Sequence, residues 1–430
     1  MIPKILQMLN NSIQEGSFRL VRLIKSKSRL LSSCLLLLSL FLGFSQDTNS
    51  EKKKKGKTYL RGNIALDYNY FNKEPFKESQ LSHQLSTLIT GEFKYVKGKF
   101  KFVAQPHIRL DAIDSYRTHA DMRNLYVSYW NKNLTINAGM RLFTLGKFTG
   151  FSLVDIMNRM DIKESILSFE KLGQPSIDFK YIYKKISAEL YVMPYFRKVN
   201  FNAGDSRLLL VPFPIDGNNP QYDHNSKEFL PNVSVRVGAK KENNEVVLGY
   251  FYGYNKNPDF VFQPSKREFS ELYLTMSQWS LEWQTLYKGL TFTSEFINQT
   301  YRNNENFFGL HIALGYDISK LYQGASTMNI SVEYVHDKYR IRKNLPFGNN
   351  FITLYTFNLG DINDTTFRAK VFSSKDVSYH FFDMDISRRI FSEFKVSGKM
   401  SFSSGSIAQT DPLYINNFNT YYGLQIGWFF

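Results

Sequence analysis

The segment 143–174 mixes charged residues of both signs with large apolar side chains, over a length that is unusual for a connection. A long connection with an apolar surface is expected to fold against another part of the chain. Opposite charges that face each other across a narrow aqueous passage set a transverse field, which selects ions by charge and size. The candidate residues for such a passage are Lys101, Arg109, Arg141, Lys147, Arg159 and Asp161.

Covalent catalysis finds little support in the same sequence. The seven histidines are scattered without a close pair or a metalloprotease spacing, and the Ser/Gly segment 402–406 has no identifiable base nearby. The stretch GKFTG at 146–150 is too short for a phosphate-binding loop. We therefore predict that the protein is not an enzyme and has no catalytic residue, no cofactor and no metal ligand.

The elements that must position the charged residues are short segments in which apolar and polar residues alternate. Clear examples are 58–71, 100–111 and 133–142. A period of two places one kind of residue on each face of an extended strand. The segments run to about 10–14 residues, whereas soluble strands peak near 5–6 and a tilted strand needs about 9–11 to cross a bilayer.

The connections between these segments alternate between tight turns and longer stretches. The longer ones are 72–82, 112–121, 143–174, 198–231, 255–268, 341–349 and 404–418. Short turns at one end and long loops at the other are typical of outer-membrane barrels. We predict an all-β fold, a transmembrane antiparallel up-and-down β-barrel of about 18 strands, with 16 as the second choice and both termini periplasmic. The alternative is a secreted β-sandwich, which does not explain the alternation of connections.

The N-terminal region has the layout of a secretory signal. Five basic residues between positions 19 and 29 precede the apolar run LLLLSLFLGFS, which is too short to span a bilayer. The predicted division is a signal peptide at 1–45, a basic periplasmic lead-in at 46–58 and the barrel at 59–430. Export also argues against nucleic acid as a partner of the lysine run in the lead-in.

The last ten residues, YYGLQIGWFF, form an alternating strand that continues to the carboxyl terminus. The residues on its apolar face are Tyr422, Leu424, Ile426, Trp428 and Phe430. A terminal Phe after such a pattern resembles the C-terminal signal of Gram-negative outer-membrane proteins. That resemblance implies an outer-membrane location, lipid contact and recognition of this strand by the barrel-assembly machinery.

A second resemblance covers the region around the long connection. Gly139, Arg141, Gly146, Lys147, Gly173 and Pro175 occur in the order of a motif in porin-like barrels of the phosphate-selective and alginate-export type. In that motif a strand ending G-x-R precedes a turn and a long loop, and G-x-P opens the next strand. The resemblance implies that 143–174 enters the barrel as a constriction loop, and porin-like barrels are often homotrimers.

Two functions follow as expectations. The first is a porin-like channel for passive or weakly selective diffusion of small polar or anionic solutes, because lumen-facing basic and acidic residues nearly balance. The alternative is a scaffold or binding barrel that docks a partner protein or lipoprotein through its extracellular loops. The aromatic residues that favour this alternative are Phe201, Phe213, Tyr222, Phe229, Phe260 and Phe262.

Overall fold

The computed structural model describes most of the chain after residue 55. The described residues are 56–148, 151–164, 170–201, 206–207, 215–266, 268–321, 325–343, 348–375, 379–405 and 418–430. The predicted signal peptide at 1–45 and most of the lead-in at 46–58 lie outside them. The first strand begins at Lys57, two residues before the predicted start of the barrel.

Twenty-one strands follow one another along the described chain. They are β1 (Lys57–Phe71), β2 (His83–Lys97), β3 (Phe100–Asp111), β4 (His119–Trp130), β5 (Leu134–Arg141), β6 (Gln174–Tyr183), β7 (Ile186–Met193), β8 (Ile215–Tyr222), β9 (Asn232–Lys241), β10 (Asn244–Tyr254), β11 (Asp259–Gln263), β12 (Glu268–Tyr273), β13 (Thr275–Tyr287), β14 (Leu290–Tyr301), β15 (Asn306–Ser319), β16 (Thr327–Asp337), β17 (Asn349–Asn358), β18 (Thr366–Ser374), β19 (Tyr379–Arg389), β20 (Phe394–Gly405) and β21 (Tyr421–Phe429).

Eighteen of these strands form one closed antiparallel sheet, which confirms the predicted barrel and its strand number. All except β8, β11 and β12 belong to it, and each pairs with the next barrel strand along the chain. The last strand, β21, pairs with β1 from Phe71 opposite Tyr421 to Asn63 opposite Phe429. Because the sheet closes on itself, β21 has a partner on both sides and the barrel has no free edge.

The strand faces divide into an apolar exterior and a polar interior. On β13 the side chains of Trp279, Leu281 and Trp283 are exposed on the outside, whereas Glu282 between them is fully buried inside. The same alternation leaves Leu424, Ile426 and Trp428 exposed on β21. An apolar outer surface over a polar lumen is the pattern of barrels that lie in a bilayer. No helix of the described residues is long and apolar enough to cross a membrane.

The connections differ in part from the expected alternation. At the end that carries both barrel termini, tight turns join most pairs of strands, but 320–326 and 359–365 are longer. At the opposite end, hereafter the loop end, 302–305 and 375–378 are as short as tight turns. The connection expected at 112–121 ends at residue 118, because His119 already belongs to β4. Strand pairing rather than connection length therefore identifies the two ends.

Two of the long connections contain structure that the sequence pattern did not predict. Strands β8, β11 and β12 form a separate three-stranded sheet at the loop end, in which β8 pairs parallel with β12. Its apolar cluster contains Phe196, Leu230, Tyr254 and Tyr273, with Tyr222 packed against it. A short helix, Lys338–Arg342, follows β16 and is capped by the Asp337 carboxylate. We call the three-stranded sheet and its cluster the cap.

Candidate functional site

The connection between β5 and β6 runs through the inside of the barrel. It leaves β5 after Arg141, reaches residues of β10, β14 and β15, and returns to β6 at Gln174. The wall strands β6, β7, β9, β10 and β13 separate β5 from β14, so the segment crosses the lumen. We call residues 142–173 the lumenal loop; within it, 149–150 and 165–169 lie outside the described residues.

The base of the lumenal loop is closed by one side chain. The Asn158 amide oxygen accepts a hydrogen bond from the Phe143 backbone N–H at 2.7 Å. The Asn158 amide nitrogen donates to the carbonyl oxygens of Arg141 at 2.9 Å and Leu172 at 2.8 Å. Asn158 thus holds together the two points where the excursion 144–157 leaves and rejoins the wall.

The far end of the loop is anchored on Glu295 of β14. This fully buried carboxylate accepts hydrogen bonds from the backbone N–H groups of Lys147 at 3.1 Å and Leu153 at 2.9 Å. The Ser152 hydroxyl donates to both of its oxygens, at 2.9 and 3.0 Å. A carboxylate that accepts three separate donors positions the loop backbone against the wall.

Apolar packing supports this anchor. The Phe148 ring lies on the His311 imidazole of β15, with ring centroids 3.4 Å apart and planes inclined by 10°. Other loop residues, among them Phe151 and Val154, are buried in one cluster with wall residues of strands from β7 to β19. Burial of this kind stabilises a protein by about 25 cal/mol per Å² of apolar surface removed from water. The loop therefore has an extended apolar contact with the wall and narrows the lumen.

A charged cluster joins the loop to the near wall. Arg109 of β3 donates to Glu164 of the loop through Nε and Nη2, at 2.9 and 2.6 Å, and through Nη1 to Asp67 of β1 at 2.9 Å. Arg123 of β4 donates to Asp161 of the loop at 2.6 Å. Burial alone would raise the pKa of Glu164, but hydrogen bonds with His107 and Arg109 hold it far below its ordinary value. The carboxylate is thus charged and is held by side chains of β3.

Arg159 lies between the lumenal loop and the cap. Its guanidinium carbon is 3.8 Å from the centre of the Phe196 ring, and its Nε donates to the Arg197 carbonyl oxygen at 2.9 Å. The side chain is almost completely buried, and this burial lowers its pKa to about 9. Arg159 connects two layers of the interior instead of facing water.

The remaining predicted lumenal residues also contact protein groups. The Arg141 guanidinium stacks on Tyr126 at 4.3 Å and lies 3.3 Å from Asp178. The Lys147 ammonium pairs with Glu245 at 2.5 Å. Lys101 lies 5.7 Å from the centre of the same Tyr126 ring. Charged residues of the lumenal loop and of the wall therefore form close ion pairs and stack on aromatic rings. A role of the six predicted residues in solute selection stays a prediction.

Exposed lumenal cations lie elsewhere, near the tight-turn end. Arg61 and Lys94 pair with Glu92 at 2.5 and 2.7 Å, Lys180 with Glu189 at 2.6 Å, and Arg368 with Asp385 at 2.9 Å. In all four pairs the cation is the more exposed partner, with 75, 37, 46 and 56% of its side chain exposed against 10, 10, 13 and 22% for the carboxylate. We call Arg61, Lys94, Lys180 and Arg368 the vestibule cations.

Among the described lumenal pairs with one partner more than a fifth exposed, two have the opposite order of exposure. Lys147 is less exposed than Glu245, and Lys395 is less exposed than Asp364. Lys147 belongs to the lumenal loop, and Asp364 lies in the 359–365 connection.

Glu245, however, lies on β10 beside the tight turn 242–243, so the wall near the turns also has a partly exposed carboxylate. In the buried pairs of Arg109, and in that of Arg236 with Glu189, the cation is also slightly less exposed than the carboxylate. The excess of exposed positive charge is that of the vestibule cations over their own carboxylates. The near balance of charges counted along the sequence does not reveal it, because exposure differs within each pair.

The aromatic residues of the outer connections are mostly engaged with one another. Tyr222 packs in the cap, Phe201 contacts Phe260 with ring centroids 5.5 Å apart, and Phe262 contacts Phe269 at 5.1 Å. Phe229 and Phe262 retain large exposed areas. Phe213 lies outside the described residues. Of the predicted aromatic residues, Tyr222 thus packs against the cap cluster, and docking of a partner by the others stays a prediction.

Glycines of the predicted motif occur where the wall leaves no room for a side chain. A Cβ on Gly173 would lie 2.7 Å from the carbonyl oxygen of Arg123 and closer still to that of Met122. Both oxygens belong to the backbone of β4. This backbone is hydrogen-bonded in the barrel sheet and cannot change position as easily as a side chain can. Gly173 therefore lets the end of the lumenal loop approach the wall.

Gly173→Ala is expected to destabilise the barrel by about 1–3 kcal/mol, because overpacking forces the loop or β4 to move. The matched control is Gly91→Ala on β2, where an added Cβ would be 3.6 Å from its nearest neighbour, an ordinary contact. The measurement is the urea midpoint of both variants in the same detergent. Equal midpoints for the two variants would show that the close approach at Gly173 is unimportant.

Sequence reasoning missed several residues of the charged cluster at the near wall, among them two histidines, Glu164 and Arg123. His107 of β3 and His119 of β4 are twelve positions apart, yet their ring centroids are 5.7 Å apart, which corrects the expectation of no close histidine pair. Glu164 of the loop lies 2.8 Å from His107 Nε2. The signal that could have found the pair is the hairpin register, which sets His107 opposite Asp121 and Arg109 opposite His119.

This chain is similar in fold to solved outer-membrane barrels. OccK9 (OpdG) of Pseudomonas aeruginosa aligns with a TM-score of 0.51 at 10% identity, over 88% of this chain and 98% of that one. OccK3 (OpdO) of the same organism aligns with a TM-score of 0.50 at 9% identity, over 86% and 95%. The chain has the fold of these barrels. No family model matches it, and no curated protein matches it in sequence.

Proposed function

We propose that the protein is an outer-membrane channel that admits small polar solutes by diffusion and favours anionic ones. The observation that carries the proposal is the unequal exposure within the lumenal ion pairs near the tight-turn end. A solute that enters the lumen there meets four cationic heads, while the carboxylates that balance them are sheltered in the wall. Such an arrangement raises the local concentration of anions in an aqueous passage.

The lumenal loop supplies the narrow part of the proposed passage. It is anchored on opposite walls, by Glu295 on one side and by Arg109 and Arg123 on the other. A segment held at both ends keeps its position while solutes pass. Size selection is then set by the loop, and charge preference is set by the vestibule cations.

The proposed orientation places the tight turns in the periplasm. Lysines occur in or beside most of these turns, for example Lys184, Lys240 and Lys288, and they form a basic rim at that end. A cation near an anionic membrane surface contributes about 1 kcal/mol to binding. The rim is therefore suited to phospholipid headgroups, and the cap faces outwards.

Reversal potential in a salt gradient tests this function. The purified protein, inserted in a planar bilayer, is expected to form a steady channel with a preference for Cl⁻ over K⁺. The combined variant R61Q/K94Q/K180Q/R368Q is expected to lose that preference, because each exposed positive charge is removed while its carboxylate partner is kept.

The control replaces four lysines at the turns or on the outward side of strand ends, K97Q/K184Q/K241Q/K288Q, at the same change in net charge; Lys184 and Lys288 lie over the exposed rings of Tyr183 and Tyr287. This control should leave the reversal potential near that of the unmodified channel. A folded protein without conductance would overturn the channel proposal. An unchanged reversal potential in the lumenal variant would overturn the role of the vestibule cations.

A further inference from the structure

The near-wall cluster contains four groups that are typical metal ligands. His107 and His119 come from adjacent wall strands, and Asp161 and Glu164 come from the lumenal loop. One ligand atom of each lies within 4.8 Å of all the others. His107 and Asp161 are buried, and His119 and Glu164 are nearly so. Four potential ligands from three separate segments thus converge on one point inside the protein.

The hydrogen bond of His119 Nδ1 determines whether the other ring nitrogen, Nε2, has a hydrogen or a lone pair. His119 Nδ1 lies 2.6 Å from the Arg117 carbonyl oxygen, which is only an acceptor, so Nδ1 carries the hydrogen. In the neutral ring Nε2 then has a lone pair. That atom faces Asp161 Oδ2 at 3.1 Å and Glu164 Oε1 at 3.4 Å. Arg123 and Arg109 already donate to these two carboxylates, whereas the lone pair of His119 Nε2 faces two acceptor oxygens and is available to a metal ion.

The separations fit a metal ion. His107 Nε2 and Glu164 Oε1 are 2.8 Å apart, and the two distances from His119 Nε2 are 3.1 and 3.4 Å. Ligands at 2.0–2.1 Å from a tetrahedral Zn²⁺ are separated by roughly 3.3 Å along each edge. The remaining pairs of ligand atoms lie within 4.8 Å, so these must approach one another by up to about 1.5 Å for all four to coordinate a single ion.

The surrounding groups are those that support metal ligands. The Arg117 carbonyl orients His119, while Arg109 and Arg123 hold the two carboxylates. The connected ion pairs bring together the carboxylates of Asp67, Asp121, Asp161 and Glu164 with the guanidinium groups of Arg109, Arg123 and Arg197. With neutral histidines this network has one more negative than positive charge, so an added cation is electrostatically favoured.

We propose that His107, His119, Asp161 and Glu164 bind a divalent transition metal that fastens the lumenal loop to the wall. Two imidazoles with two carboxylates suit Zn²⁺ and its first-row neighbours better than Ca²⁺ or Mg²⁺, which prefer oxygen ligands alone. Because two ligands belong to the wall and two to the loop, the metal links β3 and β4 to 161–164. The proposal is independent of what the barrel transports.

Cobalt substitution tests the site directly. The full-length protein is purified in detergent, stripped with EDTA and titrated with Co²⁺, whose visible absorption reports tetrahedral coordination. We expect one Co²⁺ per chain with a tetrahedral spectrum, and its displacement by Zn²⁺. His119→Asn and His107→Asn should each weaken Zn²⁺ binding by more than about 100-fold, beyond the usual effect of losing an outer-shell partner.

The matched control is His380→Asn, whose histidine contacts Ser373 on another part of the wall and should bind metal like the unmodified protein. Folding of every variant is checked by its gel mobility before and after heating, and either ligand variant suffices if the other fails to fold. Absence of Co²⁺ binding by the folded, stripped protein would overturn the proposal. Unchanged affinity in a folded ligand variant would also overturn it.

Discussion

Excision of residues 144–157, with a Gly-Gly linker in their place, is expected to raise single-channel conductance several-fold. These residues form the part of the lumenal loop that crosses to Glu295 and His311, so their removal widens the narrow region. The excision is compatible with folding because the Asn158 side chain already holds the two ends together. Strands β5 and β6 also remain paired directly, from Leu134 opposite Tyr181 to Arg141 opposite Gln174.

A control for this experiment shortens the cap by removing 264–266, between β11 and β12. Conductance should then stay close to that of the unmodified protein, since these residues form an exposed turn of the cap. A second variant, Glu295→Leu, keeps the loop but removes the acceptor of its buried donors, and should produce a noisier, less uniform channel. If the excised protein folds and conducts as before, the lumenal loop does not limit flow.

The barrel wall could be predicted from the sequence because its signals are local. Each strand alternates between apolar and polar residues with a period of two. The alternating segment YYGLQIGWFF is such a strand, and its backbone needs a neighbouring strand on each side. One of these neighbours is β1, where Phe430 exchanges two backbone hydrogen bonds with Gly62. In a closed antiparallel barrel each strand pairs with its neighbours along the chain, so topology follows from the strand number.

The interior could not be predicted in the same way, because its contacts join distant parts of the chain. Ser152 bonds to Glu295, 143 positions away, and β8 pairs with β12 across a barrel hairpin. No periodicity connects such partners. The lumenal charges illustrate the consequence: sequence position predicted which residues face inwards, whereas burial decides that Arg109 is a structural ion-pair partner and Arg368 an exposed cation.

The histidine pair near Arg109 was not predicted because the start of one strand was placed three residues too late. The sequence pattern placed 112–121 in a connection, which removed His119 from β4. Register in β3–β4 also shifts at Gln105 and Pro106, where a bulge turns Arg123 inwards to meet Asp161. The extra residue shifts the alternation by one position, so that inward side chains are at odd positions up to Arg123 and at even positions from Asn124 onwards. Both the histidine pair and Arg123 therefore depend on details that pattern alone does not carry.

Arg109→Ala is expected to lower the free energy of unfolding by about 3–5 kcal/mol, the largest effect of any single substitution considered for the interior. The guanidinium is buried and bonds to Glu164, Asp67 and Ser86 at 2.5–3.0 Å. Its loss leaves two buried carboxylates without their main partner. The cost arises from their uncompensated charge more than from the contacts themselves.

Arg61→Ala provides the matched control on the same wall. Arg61 is also a lumenal arginine paired with a carboxylate, but three quarters of its side chain is exposed, and Glu92 keeps Lys94 at 2.7 Å. An exposed pair contributes only about 0–1 kcal/mol. Urea unfolding of both variants in one lipid, with equal slopes, gives the two losses on a common scale.

A further substitution separates charge from packing at Arg109. If uncompensated charge is the cause, adding Glu164→Gln to Arg109→Ala should restore part of the stability, as a double-mutant cycle would report. If packing of the arginine stem is the cause, the double variant should be no more stable than the single one. An Arg109→Ala protein that loses no more than Arg61→Ala would contradict the near-wall anchor. The lumenal loop would then be held by Glu295 and its apolar contacts alone.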